Sequence, residues 1–217
     1  MSEGMPQSDG LADVPSPIDL RNPTDAEQWA ATAMSKRPWR KDFFRAFVVE
    51  LGDLRPASGA ILELGSGPAF LARRIFESLP QVDYTALDFS SAMHALAQQH
   101  LGPFATRARF VVADFRSSGW TSGLSKYQAV VTLQAVHELR HKRHAGGLYR
   151  VVRRLLLPGG VFLVCDHVCG EGGMTDASLY MSTHEHQEAL RDAEFASVHE
   201  VHREGSLVMY RAQVGRS

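Results

Sequence analysis

Apolar residues fall along this chain in two rhythms: short continuous runs, and stretches with spacings of three and four. Ile61-Leu62-Glu63-Leu64, Tyr127 to Leu133 and Val161 to Asp166 are runs of the first kind, suited to strands buried on both faces of a parallel sheet. Asp83 to Ser90 and Arg109 to Phe115 read as two further strands. Helical spacing starts at Asp25-Ala26-Glu27-Gln28-Trp29, and recurs from Trp39 to Leu51 with Phe43, Phe44, Phe47, Val48 and Leu51 on one side. It returns from Phe70 to Phe76, then behind a cap at Ser90 or Ser91 through Met93, Leu96 and Ala97, and around Leu148, Val151, Val152 and Leu155. The end of the chain changes character: a helix from His184 to Ala193, a strand from Ser197 to His202, a turn at Glu204-Gly205 and a returning strand from Leu207 to Ala212. Strands alternating with helices, closed by a hairpin, predict an α/β domain with a mostly parallel sheet.

The connections carry as much information. Gly65-Ser66-Gly67 joins a buried strand directly to a helix, so the backbone can turn tightly and approach a ligand at the helix N-terminus. Leu157-Pro158-Gly159-Gly160 is a turn with proline preset and glycine free for positive φ. Arg116 to Ser125, with Gly119, Gly123 and Trp120, predicts a short or irregular helix, and Val168 to Thr183 a long connection over the strand ends. Residues 1–22 lack periodicity and read as a mobile tail that orders over a ligand; residues 23–54 read as two lid helices, and residues 55–217 as the main domain.

Composition narrows the class. At 217 residues, 44% hydrophobic and 22% charged with a net charge of -1, the chain fits one globular core and carries no electrostatic drive toward nucleic acid or membrane. Cys165 and Cys169 are too few for a disulfide scaffold, no run approaches the roughly 18 apolar residues of a membrane span, and the first residues lack a basic and apolar leader. The expectation is a reduced, cytoplasmic protein. The basic stretch from Arg140 to His144 and Arg150, Arg153 and Arg154 read as a solvated outer face.

A dinucleotide fingerprint would need a third glycine at Phe70, too bulky for close helix-strand packing. Glu63-x-Gly65-x-Gly67-x-Ala69 instead resembles motif I of the class I S-adenosylmethionine (SAM) dependent methyltransferases. The acid ending the second strand, Asp88, the Asp114-Phe115 pair after the third, the Leu-Leu-Pro-Gly-Gly phrase and the terminal hairpin extend the resemblance from about residue 40 to the C-terminus. It implies a Rossmann-like fold, a seven-stranded mostly parallel sheet in the order 3-2-1-4-5-7-6 with strand seven antiparallel, and helices on both faces. It implies SAM as cofactor and S-adenosylhomocysteine (SAH) as product, held by Glu63, Gly65, Ser66, Gly67, Asp88, Phe89, Met93, Asp114, Phe115 and Gln134. Asp88 would take the ribose hydroxyls and Asp114 the adenine amine, with Phe115 against the ring.

In that family the tips of strands four and five face the reacting methyl group, which places Gln134, His137, Glu138, Asp166 and His167 there. His137 is the expected general base, since an imidazole pKa of about 6.5 suits proton removal at neutral pH. Trp29, Met34, Trp39 and Arg40 would belong to the lid and substrate pocket; no metal is expected. The sequence Gln134-Ala135-Val136-His137 is not the base-stacking motif of amino-methylating nucleic-acid enzymes, nor the paired-glutamate loop of arginine methyltransferases. The expected acceptor is a small molecule methylated on oxygen or nitrogen, with secondary metabolism as its setting. The alternative is a SAM-binding protein of the same fold without methyl transfer: an isomerase, a cyclase or an accessory subunit. A monomer or homodimer is expected.

Overall fold

The computed structural model describes residues 12–54, 59–170 and 172–216. The part of the expected tail that covers residues 1–11 lies outside the described residues. Two helices, α1 (Pro23–Lys36) and α2 (Arg40–Gly52), precede β1 (Ala60–Leu64). Asn22 caps α1 by accepting hydrogen bonds from the backbone N–H groups of Thr24 and Asp25, and Pro23 occupies the first turn, where no N–H is needed. The phenylalanines of α2 point inward: Phe43, Phe44 and Phe47 are buried.

The chain continues through α3 (Phe70–Ser78), β2 (Asp83–Asp88), α4 (Ser91–Leu101), β3 (Ala108–Val112), β4 (Tyr127–Leu133), α5 (Ala145–Leu155), β5 (Leu156–His167), α6 (Thr183–Asp192), β6 (Ser197–Glu204) and β7 (Leu207–Gln213). The seven strands form one sheet in the order β3-β2-β1-β4-β5-β7-β6. The first five are parallel to one another, and β7 runs antiparallel to both β5 and β6. This is the expected fold.

Period-two alternation divides the core. Leu62, Leu64, Val130, Phe162 and Val164 face α5 and α6. Ile61, Ala86, Val131 and Leu163 face α2, α3 and α4. Each central strand is therefore apolar on both sides, which is what its unbroken run of apolar residues required.

Two connections differ from expectation. Residues 113–126 hold turns and no helix, because Gly119 and Gly123 both sit at positive φ. β5 begins at Leu156, ahead of the expected Val161, and the Pro-Gly-Gly turn is a bulge within the strand. Gly160 has no room for a side chain there, since a Cβ would lie 2.9 Å from the Leu157 carbonyl oxygen and 3.0 Å from that of Gln128.

Candidate functional site

All five parallel strands point their C-terminal ends to the same edge of the sheet, and that edge is where side chains of different elements converge. At the tip of β1 the chain enters positive φ at Gly65 (68°), Gly67 (50°) and Ala69 (62°). A Cβ on Gly65 would stand 2.5 Å from the Cβ of Ala135, so only glycine lets β1 and β4 close here. The Gly67 N–H donates to Asp88 Oδ2 at 2.8 Å and the Ser90 N–H to Asp88 Oδ1 at 2.9 Å, tying the glycine turn to the tip of β2. Asp88 is buried, and burial pushes its pKa up to about 6 against the pull of those backbone donors. With up to four lone-pair sites, the carboxylate keeps acceptor capacity for a ligand.

A cavity of about 430 Å³ opens above this edge. One end is bounded by Gly65, Gly67, Asp88, Phe89, Met93 and Phe115, and the other by Trp29, Arg37, Arg40, Gln134, His137, His167 and Tyr180. Residues 12–22 cross its mouth. Arg140 donates through its guanidinium to the carbonyls of Val14 and Pro15, and Ser90 Oγ donates to the Leu20 carbonyl at 2.5 Å. Pro17, Ile18 and Leu20 thereby become wall residues, and a second cavity of about 450 Å³ shares them.

The acid-base core of the site is His137 against Asp166. The His137 ring presents Nδ1 to Asp166 Oδ1 at 2.6 Å, and its backbone N–H donates to Asp166 Oδ2 at 2.9 Å. Because a carboxylate only accepts, Nδ1 carries the hydrogen and Nε2 is the basic nitrogen. Burial alone would lower the His137 pKa, but the charge and hydrogen bond of Asp166 outweigh it, and the pKa is raised. Asp166, although its burial acts upward, is held below its ordinary value by His137. Glu138 Oε1 lies 3.5 Å from His137 Nε2.

Beside this pair runs a second polar chain. Arg40 Nε donates to Gln134 Oε1 at 2.6 Å, which leaves the Gln134 amide nitrogen, 2.7 Å from His167 Nε2, as the donor to that ring. His167 Nδ1 then donates to Ser206 Oγ at 2.9 Å. Gln134 holds a left-handed backbone at φ 55°, with its N–H on the Cys165 carbonyl. Such a conformation in a non-glycine residue is kept by its surroundings, here at the junction of β4 and β5.

Twelve of the expected site residues line the main cavity: Trp29, Arg40, Gly65, Gly67, Asp88, Phe89, Met93, Phe115, Gln134, His137, Glu138 and His167. Six do not. Glu63 lies under the floor: the pleat of β1 turns it to the α2 side, where its Oε2 accepts from the Tyr84 hydroxyl at 2.7 Å. Its complete burial pushes its pKa up to about 8. Ser66 also faces inward, with Oγ 3.5 Å from His94 Nε2. Asp114 belongs to the neighbouring cavity, paired to Arg116 and Arg21. Met34 and Trp39 pack on the core beside the α2 phenylalanines. Asp166 stands behind His137.

Sequence reasoning missed Arg37 and Tyr180. Arg37 falls in the link between two helices, where no periodicity signals direction. Tyr180 is an aromatic in a segment that reads as an irregular connection; in the fold its ring centroid is 5.4 Å from that of His137.

Residues 61–160 match the family described as "Methyltransferase domain". That match covers a little under half of the chain and takes in the glycine turn and the strands on either side of it. Its fold is shared with an O-methyltransferase family protein from Burkholderia thailandensis, at TM-score 0.66 and 16% identity over 80% of this chain and 56% of that one. Human N-acetylserotonin methyltransferase, solved in complex with SAM, matches at TM-score 0.69 and 16% identity, covering 90% of this chain and 57% of its own. The methyltransferase solved with the Haloferax volcanii Trm112 activator matches at TM-score 0.68 and 16% identity over 88% of this chain and 98% of that one. At such identities the likeness is one of fold. The chain spans little more than half the length of the first structures it matches. No curated protein matches it in sequence. Among the described residues no helix is long and apolar enough to cross a membrane.

Proposed function

We propose that the chain transfers a methyl group from SAM to a small molecule, at a nucleophile that must lose a proton, with His137 as general base and Asp166 as its positioning residue. The observation that carries this reading is the 2.6 Å His137–Asp166 pair on the wall of the same cavity that the glycine turn opens into.

The residues present fit the cofactor. Gly65 and Gly67 clear the approach to the backbone, Asp88 offers remaining acceptor sites for ribose hydroxyls, and Phe89, Met93 and Phe115 give apolar walls for a purine. Arg116 and Arg21 occupy Asp114, so a contact from Asp114 to the adenine amine requires those ion pairs to share it. When bound, SAM supplies an electrophilic methyl group on a sulfonium, which leaves as the neutral thioether of SAH.

The chain's part is positioning and proton removal. His137 Nε2 accepts the proton of an acceptor hydroxyl as the oxygen forms its bond to the methyl carbon, or takes the proton of an ammonium group beforehand, so that the nitrogen has a lone pair with which to attack. Asp166 keeps the proton of the imidazole on Nδ1 and stabilises the imidazolium that results. The raised pKa makes His137 a stronger base, though a smaller fraction of it is neutral at pH 7. Residues 12–22 across the mouth favour a small acceptor, because a polymer would have to displace them.

Calorimetry with SAH on Asp88→Ala tests the cofactor placement. A loss of affinity on the order of tenfold or more, with the melting temperature kept, is the expected result for a lost charge-assisted contact. Unchanged affinity would remove Asp88 from the site.

A further inference from the structure

Arg40 is buried and lies on the cavity wall, yet its charge has no counterpart. Its Nε is used by Gln134, and its guanidinium stacks over the Trp29 ring at 5.3 Å. Arg37 lines the same stretch of wall, half-buried. Every ion pair among the described residues lies elsewhere. Burial first, and then the like charge of Arg37, pull the Arg40 pKa down to about 10, so its guanidinium stays charged at neutral pH. His167, the next polar group along the wall, feels both arginines as repulsive charges. The carboxylates of the site are engaged elsewhere: Asp166 by His137 and the His167 backbone N–H, Glu138 by Arg140, and Asp88 by the Gly67 and Ser90 N–H groups.

Two like charges held together in a partly apolar cavity without a counter-ion cost folding free energy, and that cost is recovered only when an anion enters. The glutamine that anchors Arg40 is neutral, so it orients the guanidinium without neutralising it. The planar fork of arginine fits a carboxylate in two parallel hydrogen bonds.

We propose that Arg37 and Arg40 form a carboxylate subsite for the methyl acceptor, which is therefore a small hydroxy or amino acid in the broad chemical sense: one end anionic on the arginines, the other presenting its nucleophile to His137. This rests on the methyltransferase reading above. A carboxylate could also come from the methionine half of SAM, and the test separates the two sources.

The protein is first saturated with SAH, then titrated with a panel of aryl and alkyl carboxylates, each paired with its neutral amide. The wild-type complex is expected to prefer carboxylate over amide for at least one pair by on the order of tenfold, the scale of a charge-assisted contact. Arg37→Gln and Arg40→Gln are expected to abolish that preference. In the second arm, SAH and methylthioadenosine, which lacks the amino-acid group, are compared on the same proteins; their affinity ratio is expected to stay unchanged in both variants. Arg37 is only partly buried, so Arg37→Gln keeps the test valid if Arg40→Gln does not fold. No preference for any carboxylate, a preference that survives both substitutions, or a collapse of the SAH to methylthioadenosine ratio would each overturn the proposal; the last would assign the arginines to the cofactor. If SAH itself does not bind the wild type, it is the methyltransferase reading that fails.

Discussion

His137 and Asp166 are separated by most of a helix and a strand in sequence, and their contact exists only because β4 and β5 are neighbours in the sheet. The expected titration follows from the balance of forces. His137 in the wild type should titrate above the ordinary imidazole value, and Asp166→Asn should drop it below that value, since burial, the largest influence, is then opposed only by Glu138; NMR of the ring protons reads both. The same linkage bears on stability. The raised His137 pKa contributes stability that is present below the unfolded value of about 6.5 and is lost as pH rises through the folded one.

Asp88 bears on cofactor affinity. Burial raises its pKa to about 6 in the fold, and ribose hydroxyls donate more strongly to the ionised form, so SAH affinity should fall as pH drops through 6. At pH 5 the expected loss is about tenfold, following the ionised fraction. A flat calorimetric profile from pH 7.5 to 5 would contradict this. Most site residues were legible because a strand end followed by an acid, a glycine or a histidine marks a position whatever the rest of the fold does. Glu63 was misplaced for a physical reason: it is one residue short of the tip, and the pleat of β1 buries it against Tyr84.

At the scale of elements, the helix caps and apolar periods written in the sequence are those found in the fold. α6 shows this most directly: Ser182 and Glu185 form a reciprocal capping box, each side chain accepting from the other's backbone N–H. Ser182→Ala should lower the unfolding free energy by about 1 kcal/mol in urea titration, and no change would mean that packing alone holds the helix start. The irregular segments were less legible. Residues 12–22 have no period, and their path over the cavity depends on Arg140, whose guanidinium meets the Val14 and Pro15 carbonyls. Arg140→Ala should therefore speed SAH dissociation severalfold in stopped-flow traces, because the strap across the mouth loses its anchor. Tyr180 was invisible for the same reason: its position is set by the Ser182 cap and by backbone bonds around Asp176, not by any pattern of its own.

For the whole molecule, one sheet edge gathers the glycine turn, two strand-end acids, His137 with the Asp166 carboxylate and two arginines that make no ion pair among the described residues. The terminal hairpin decides the architecture, because placing β7 antiparallel beside β5 is what separates this fold from a nicotinamide-type sheet. The hairpin was legible from its alternation and its Glu204-Gly205 turn, while its insertion beside β5 came from family resemblance, since strand order is not a property of any local pattern. The central claim is that this edge holds the adenosyl cofactor. Thermal unfolding with SAH, with NADH as the control, tests it most directly. At about 100 times its Kd a ligand adds roughly 2.7 kcal/mol, a melting shift on the order of 5 to 10 °C for a domain of this size. The account predicts that shift with SAH and none with NADH. No shift with SAH, or an equal one with NADH, would contradict it.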